Sequence, residues 1–201
     1  MTASAGPALK QLHEEFGDRV AFVSMYVREA HPGENYPQAE IFEEKLEHAR
    51  AYKERDGIPW PVSVDDVEGS LHRTLDPKPH AAYIMNVRGG VAFRTLWAND
   101  ERTLREGLKE ISAHPEATVG ERQPRAAPML KGMGKFYEIL GASGDVARRD
   151  LLREVPPMYA VARLANLFHP LPPLGRGVAA MATVAAGLTM LSVGLWRLVA
   201  R

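Results

Sequence analysis

Two ionisable side chains close the apolar run "VAFVSMYVREAH": Glu29 and His31. A carboxylate and an imidazole two residues apart fall on one side of the chain wherever it stays extended. An imidazole changes charge at about pH 6.5, and a neighbouring carboxylate can fix its tautomer. That pairing is equipment for moving a proton. A simpler reading competes with it, in which the strand leaves the core and enters solvent. Pro32, Gly33, Asn35 and Pro37 punctuate the loop that follows, which carries Tyr36. His48 lies beyond it, on a segment with helical spacing. The sequence holds no cysteine, so disulfides, thiolate metal sites and thiol chemistry are excluded within these residues. The 7 histidines are too scattered to mark a zinc site, and Gly132-x-Gly134 lacks the third glycine of a dinucleotide loop.

Several elements must position these groups. "PALKQLHEEF" predicts a helix over 7–16, with Pro7 in its first turn, Leu9, Leu12 and Phe16 as its apolar stripe, and Gly17 at its end. "RVAFVSMYV" reads as a strand apolar on both faces, as in a sheet covered on both sides. Residues 38–56 predict an amphipathic helix with Ile41, Leu46 and Ala49 or Tyr52 inward and Lys45 among the solvated charges. "WPVSVDD" is a short strand and "EGSLHRTL" a short helix. "AAYIMNV" and "VAFRTLW" flank the turn Arg88-Gly89-Gly90 as a hairpin. A helix capped by Asn99 or Asp100 follows, with Leu104, Leu108 and Ile111 inside. Strands joined through a helix run parallel and a hairpin runs antiparallel, so this order predicts one mixed sheet flanked by helices.

The residues "AFVSMYVREAHPGENY" resemble the iodothyronine deiodinase family, whose motif is a strand ending in Tyr-Ile-x-Glu-Ala-His and a loop reaching an aromatic. Tyr26, Glu29, Ala30 and His31 fall on that motif, and Tyr36 stands where the family has Trp. "KPHAAYIMNVRGGVAFRTLW" is similar to the family's proline-led strand and hairpin, so the resemblance covers roughly 8–111. It implies a thioredoxin-like α/β fold whose first strand is missing from this chain. It also implies an oxidoreductase in which a cysteine or selenocysteine at the start of the first helix attacks the iodine of an iodothyronine. A thiol cosubstrate would regenerate it, with no bound cofactor. The nucleophile would then lie immediately before Met1. Glu29 and His31 become the expected catalytic pair, with His31 as proton donor and Glu29 holding its tautomer. Tyr36, His48 and Pro79 are expected to bind substrate, and Pro79 takes the place of a cis proline facing the reactive group. The other function class is a non-catalytic thioredoxin-like module that binds a partner at the membrane.

Lys+Arg and Asp+Glu each number 25, so no basic excess argues for nucleic acid. The expected partners are a small-molecule substrate, a thiol reductant and a membrane. "GVAAMATVAAGLTMLSVGLW", residues 177–196, is a stretch of 20 residues without a charge. A helix of that length reaches roughly 30 Å, the thickness of the hydrocarbon core. Arg176 bounds it on one side, Arg197 and Arg201 on the other, and Ala179, Thr183 and Gly187 offer a face for close packing. The first residues have neither the basic nor the apolar region of a signal peptide, which predicts a single-pass C-terminal anchor with the soluble part in the cytoplasm. The expected division is a thioredoxin-like domain over 1–114, linker and juxtamembrane helices over 115–176, and a transmembrane helix over 177–197. Met129, Met133, Phe136 and Leu140 are spaced for one apolar face in the middle part.

Overall fold

Helix α1 (Thr2–Phe16) starts well ahead of Pro7, so the proline lies inside it rather than in its opening turn. Its buried stripe is Ala5, Ala8, Leu12 and Phe16, the spacing of one helical face. The computed structural model describes residues 2–29, 31–75, 80–118, 120–122 and 126–199. The run after α1 forms only a short strand, β1 (Ser24–Tyr26). Val20 and Phe22 pack against the core below it, while Val23 is 59% exposed and Met25 lies outward too. The run is therefore covered on one face and not on two, and its alternation decides which residues are inside.

Helix α2 (Phe42–Arg55) leads to β2 (Val62–Val64), which pairs parallel with β1 in the register Ser24 to Val62 and Tyr26 to Val64. The inner face of α2 differs from the expected one. Ile41 is exposed, and Lys45 is 1% exposed with its ammonium donating to the Asp66 carbonyl. Helix α3 (Ser70–Leu75) starts where the Asp65 carboxylate accepts from the backbone N–H groups of Leu71 and His72. Strands β3 (Ala82–Met85) and β4 (Val91–Thr95) form the expected antiparallel hairpin. Helix α4 (Glu101–Ala113) is capped by Asp100, which accepts from the Thr103 N–H at 3.3 Å. The stretch expected to be linker adds β5 (Gly120–Arg122), parallel to β4.

The strands form two sheets, β1-β2 and β3-β4-β5, where one was expected. Among the described residues no backbone ladder joins β1 to β3. What joins the two halves is a shared core, in which Leu12 and Phe16 of α1 meet Ile84, Phe93, Leu104, Leu108 and Ile111, with Phe22 packed against them. The architecture is mixed α/β with more than half of the chain in helices.

Three helices follow: α5 (Ala126–Ser143), α6 (Asp145–Glu154) and α7 (Pro156–Leu167). Phe136, Leu140, Ala147, Leu151 and Ala162 form their core, with Met133 at its edge and Met129 outside. Helix α8 (Pro173–Val199) begins four residues before the expected span. Arg176, which directly precedes the apolar stretch, is inside α8 and buried. Its guanidinium donates to the Leu171 carbonyl at 2.7 Å and pairs with Glu138 of α5. Close packing is made by other residues than the Ala179–Thr183–Gly187 face. A Cβ on Gly134 would overlap the Pro173 carbonyl, and one on Gly177 would overlap the Leu130 carbonyl. Gly187 has open space around it. From about residue 185 onward α8 stands clear of the bundle.

Candidate functional site

Strand β1 ends at Tyr26, so Glu29 and His31 sit beyond the ladder, and strand alternation does not put them on one side. They part company. The Glu29 side chain is 6% exposed and turns toward α2. A carboxylate only accepts, and it takes three donors here. The Tyr26 hydroxyl reaches Oε1 at 2.9 Å, Gln38 Nε2 reaches Oε2 at 2.8 Å, and His48 Nδ1 reaches Oε1 at 3.1 Å. Three donors are what a buried carboxylate requires, because each lone pair left dry costs desolvation energy. Because a carboxylate can only accept, the contact places a proton on His48 Nδ1. Burial, together with the adjacent Glu29 charge, pushes the Tyr26 hydroxyl well above its ordinary value, so it stays a donor.

Tyr36 lies at the edge of the same cluster. Its backbone closes a tight turn with Gly33, by N–H to carbonyl bonds of 3.0 and 3.2 Å in the two directions. The Arg55 guanidinium stacks 5.3 Å from its ring centroid and 5.9 Å from that of Tyr52. Burial pushes the Tyr52 hydroxyl up to about 12. Tyr26 and Tyr52 have centroids 5.9 Å apart, so the site is a polar centre walled by tyrosines.

His31 faces the other way, with its ring edge-on to Phe136 of α5 at 5.1 Å. Glu29 does not hold its tautomer; the imidazole that Glu29 holds is that of His48. Burial lowers the His31 pKa below 6.5. The neutral imidazole is thus the form present at neutral pH, and a neutral imidazole is a base before it is an acid. A proton donor at this position must first take up the proton that it gives.

Pro79, and with it the expected cis bond, lies outside the described residues. His80, next to it, is a site residue that the motifs did not single out. Its backbone has φ +85°, where a non-glycine residue is uncommon. Its ring stacks on Trp97 at 6.3 Å with an interplanar angle of 8°. Nε2 is buried and has no hydrogen-bond partner among the described residues. Burial pushes the imidazole down to about 3, and nearby positive charge, including that of His31, adds to the effect. That coupling places the two histidines in one neighbourhood. Gln38 was also missed, since an amide in a loop carries no spacing signal.

No group of three or more possible metal ligands occurs among the described residues. Compared with protein-family models, curated proteins and solved structures, the chain matches none. Fold and site together define a mixed α/β unit with a buried carboxylate–imidazole centre, joined to a helical bundle. The last helix of that bundle is long and apolar enough to cross a membrane.

Proposed function

We propose that this chain carries the acid–base half of a deiodinase-like, thioredoxin-fold oxidoreductase anchored to a membrane. The observation that carries the reading is the Glu29 carboxylate, buried and bonded to His48 at 3.1 Å in the loop after β1. Buried ionisable pairs are costly to keep, and they concentrate where chemistry is done. The resemblance at Tyr26, Glu29, Ala30 and His31 names the chemistry. Two further features support it. Helix, strand, helix, strand, short helix, hairpin and helix follow one another in the order the resemblance implies. The open edges of β1 and β3 are where the reading puts a strand leading into α1.

In this reading a thiol or selenol stands at the start of α1, supplied from outside these cysteine-free residues. Helix N-termini favour the anion. Neutral His31 takes the proton. The anion attacks the iodine of an aryl iodide, the carbon–iodine bond breaks, and the carbon receives the proton from the imidazolium. A thiol cosubstrate then displaces iodide from the sulfenyl or selenenyl iodide, losing its proton and forming a mixed disulfide or selenenyl sulfide with the nucleophile. A second thiol attacks the cosubstrate sulfur of that bond, so the nucleophile is released and the two cosubstrate thiols leave joined as a disulfide. Glu29 and His48 orient the substrate beside Tyr36. Helix α8 holds the unit at the bilayer with the α/β part on the cytoplasmic side.

The test joins the chain to the segment encoded immediately upstream of Met1 and assays iodide release from an iodothyronine with dithiothreitol. Iodide release is expected, falling by about 10²-fold in His31→Gln, the usual contribution of a positioned acid–base group. An extended protein that releases no iodide and turns over no peroxide or other thiol-dependent substrate would sink the enzyme reading. A partner-binding module at the membrane would then be the better account.

A further inference from the structure

The loop that carries His31 is fastened to the joint between α5 and α6. The last carbonyls of α5 have no partners within their helix, and the first N–H groups of α6 have none in theirs. The loop supplies both sets. Asn35 donates its backbone N–H to the Ser143 carbonyl at 3.2 Å and its Nδ2–H to the Ala142 carbonyl at 3.1 Å. Glu34 accepts the Asp145 N–H on Oε1 at 2.6 Å and the Val146 N–H on Oε2 at 2.8 Å. An acid followed by an amide thus matches the polarity of the two helix ends. The fit leaves no room on either side. A Cβ on Gly33 would overlap the Ser143 carbonyl, and one on Gly144, which has φ +116°, would overlap the Glu34 carboxylate. Just before the clamp, His31 rests against Phe136. Helix α5 in turn meets α8 backbone to backbone at Gly134 and Gly177. A continuous packed path therefore runs from the membrane-directed helix to the imidazole.

We propose that Glu34 is a positioning residue: by capping α6 it holds the 31–36 loop on the helical bundle, keeps His31 against Phe136, and makes the site responsive to the bundle's position. The role of the site rests on the function proposed above; the clamp itself does not. The charged groups facing Glu34 are Arg149, which attracts it, and Asp145, whose carboxylate is engaged by Arg148 at 3.0 Å. Its carboxyl is held below the usual range by its own backbone N–H and by those of Val146 and Asp145. Those facing His31 include His80.

The test is NMR of the histidine rings in the full chain in detergent micelles, with Glu34→Ala, Glu34→Gln and Gly144→Ala. In the parent, the Phe136 ring current displaces the His31 C–H resonances. Glu34→Ala is expected to return them to the positions of an exposed histidine and to raise the His31 titration midpoint toward about 6.5. Gly144→Ala should do the same, because its methyl takes the carboxylate's place. Glu34→Gln, which keeps one acceptor oxygen, should retain part of the displacement. His48 resonances should stay, since Glu29 holds that ring; a variant that loses the whole fold loses them too, and Glu34→Gln then supplies the result. Unchanged His31 resonances in the folded variants would overturn the clamp. The measurement does not involve iodide release, so the clamp and the enzyme reading can fail separately.

Discussion

His80 is a residue whose charge state is strongly shaped by its surroundings. Stacked on Trp97, with Nε2 buried and without a partner among the described residues, it is held neutral, its pKa down at about 3. The folded state therefore binds fewer protons at this ring than the unfolded chain does. Its stabilising contribution is complete above about pH 6.5, the unfolded value, and is lost as pH falls from there toward about 3. The cost on acidification through that range is on the order of 5 kcal/mol. Urea midpoints measured between pH 7 and 4 should fall steeply in the parent and more gently in His80→Gln. A remaining slope belongs to His31, which burial shifts in the same direction, and near pH 4 to carboxyls that the fold holds low, such as Glu34. Equal slopes in parent and variant would mean that His80 is not held as described. Glu29 is the opposite case, an acid kept in the interior by three donors.

At the scale of elements, the decisive contacts are made by glycines. Gly134 lets α5 and α8 touch through their backbones, and it belongs to the Gly132-x-Gly134 pair that sequence reading set aside as a nucleotide loop. Gly134→Ala should push the two helices apart at a cost of about 2 kcal/mol, within the usual range for overpacking. Gly187→Ala, in open space on the same α8, should be neutral or slightly stabilising, because alanine is the better helix former. Thermal unfolding in detergent separates the two. Equal midpoints would show that α5 and α8 do not pack as closely as described. The short strands make a different point. β1 and β2 have only three residues each, and among the described residues no ladder joins their sheet to β3-β4-β5; α1 and the run leading into β1 pack on the core of the second sheet instead.

For the whole molecule, the question is what α8 does beyond the bundle. Its first turns are partly covered by α5 and α7, and Ala180 is fully buried. Farther on, Leu188, Met190, Leu191 and Trp196 are all exposed, a surface that water does not favour and a bilayer does. Leu188→Arg combined with Leu191→Arg removes no contact within the fold. Each arginine costs about 2.5–3.5 kcal/mol at the centre of a spanning helix. Parent protein is expected to float with vesicles on a density gradient and the double variant to stay at the bottom, with unchanged circular dichroism. A double variant that floats like the parent would exclude insertion through α8.

The sequence by itself determined the order of the elements from α1 to α4 and the apolar C-terminal helix, because periodicity and turn residues are local; β5 lies in a stretch that reads as linker. The stripe Leu12–Phe16, the Arg88-Gly89-Gly90 turn, the Asp100 cap and the apolar C-terminal helix were all legible in it. It also marked Glu29, His31 and His48 as chemically capable. Which of them meet was decided only by the tertiary structure. Glu29 pairs with His48 because α2 folds back beside the loop after β1, and His31 meets Phe136 because that loop docks on α5. Both are contacts between residues far apart in the chain, and no local pattern encodes them. The same holds for Lys45, whose place on a charged helix face predicted solvent until the Asp66 carbonyl came over it. Glu34 and Asn35 look like ordinary turn residues, and only the open helix ends at Ser143 and Asp145 give them a partner.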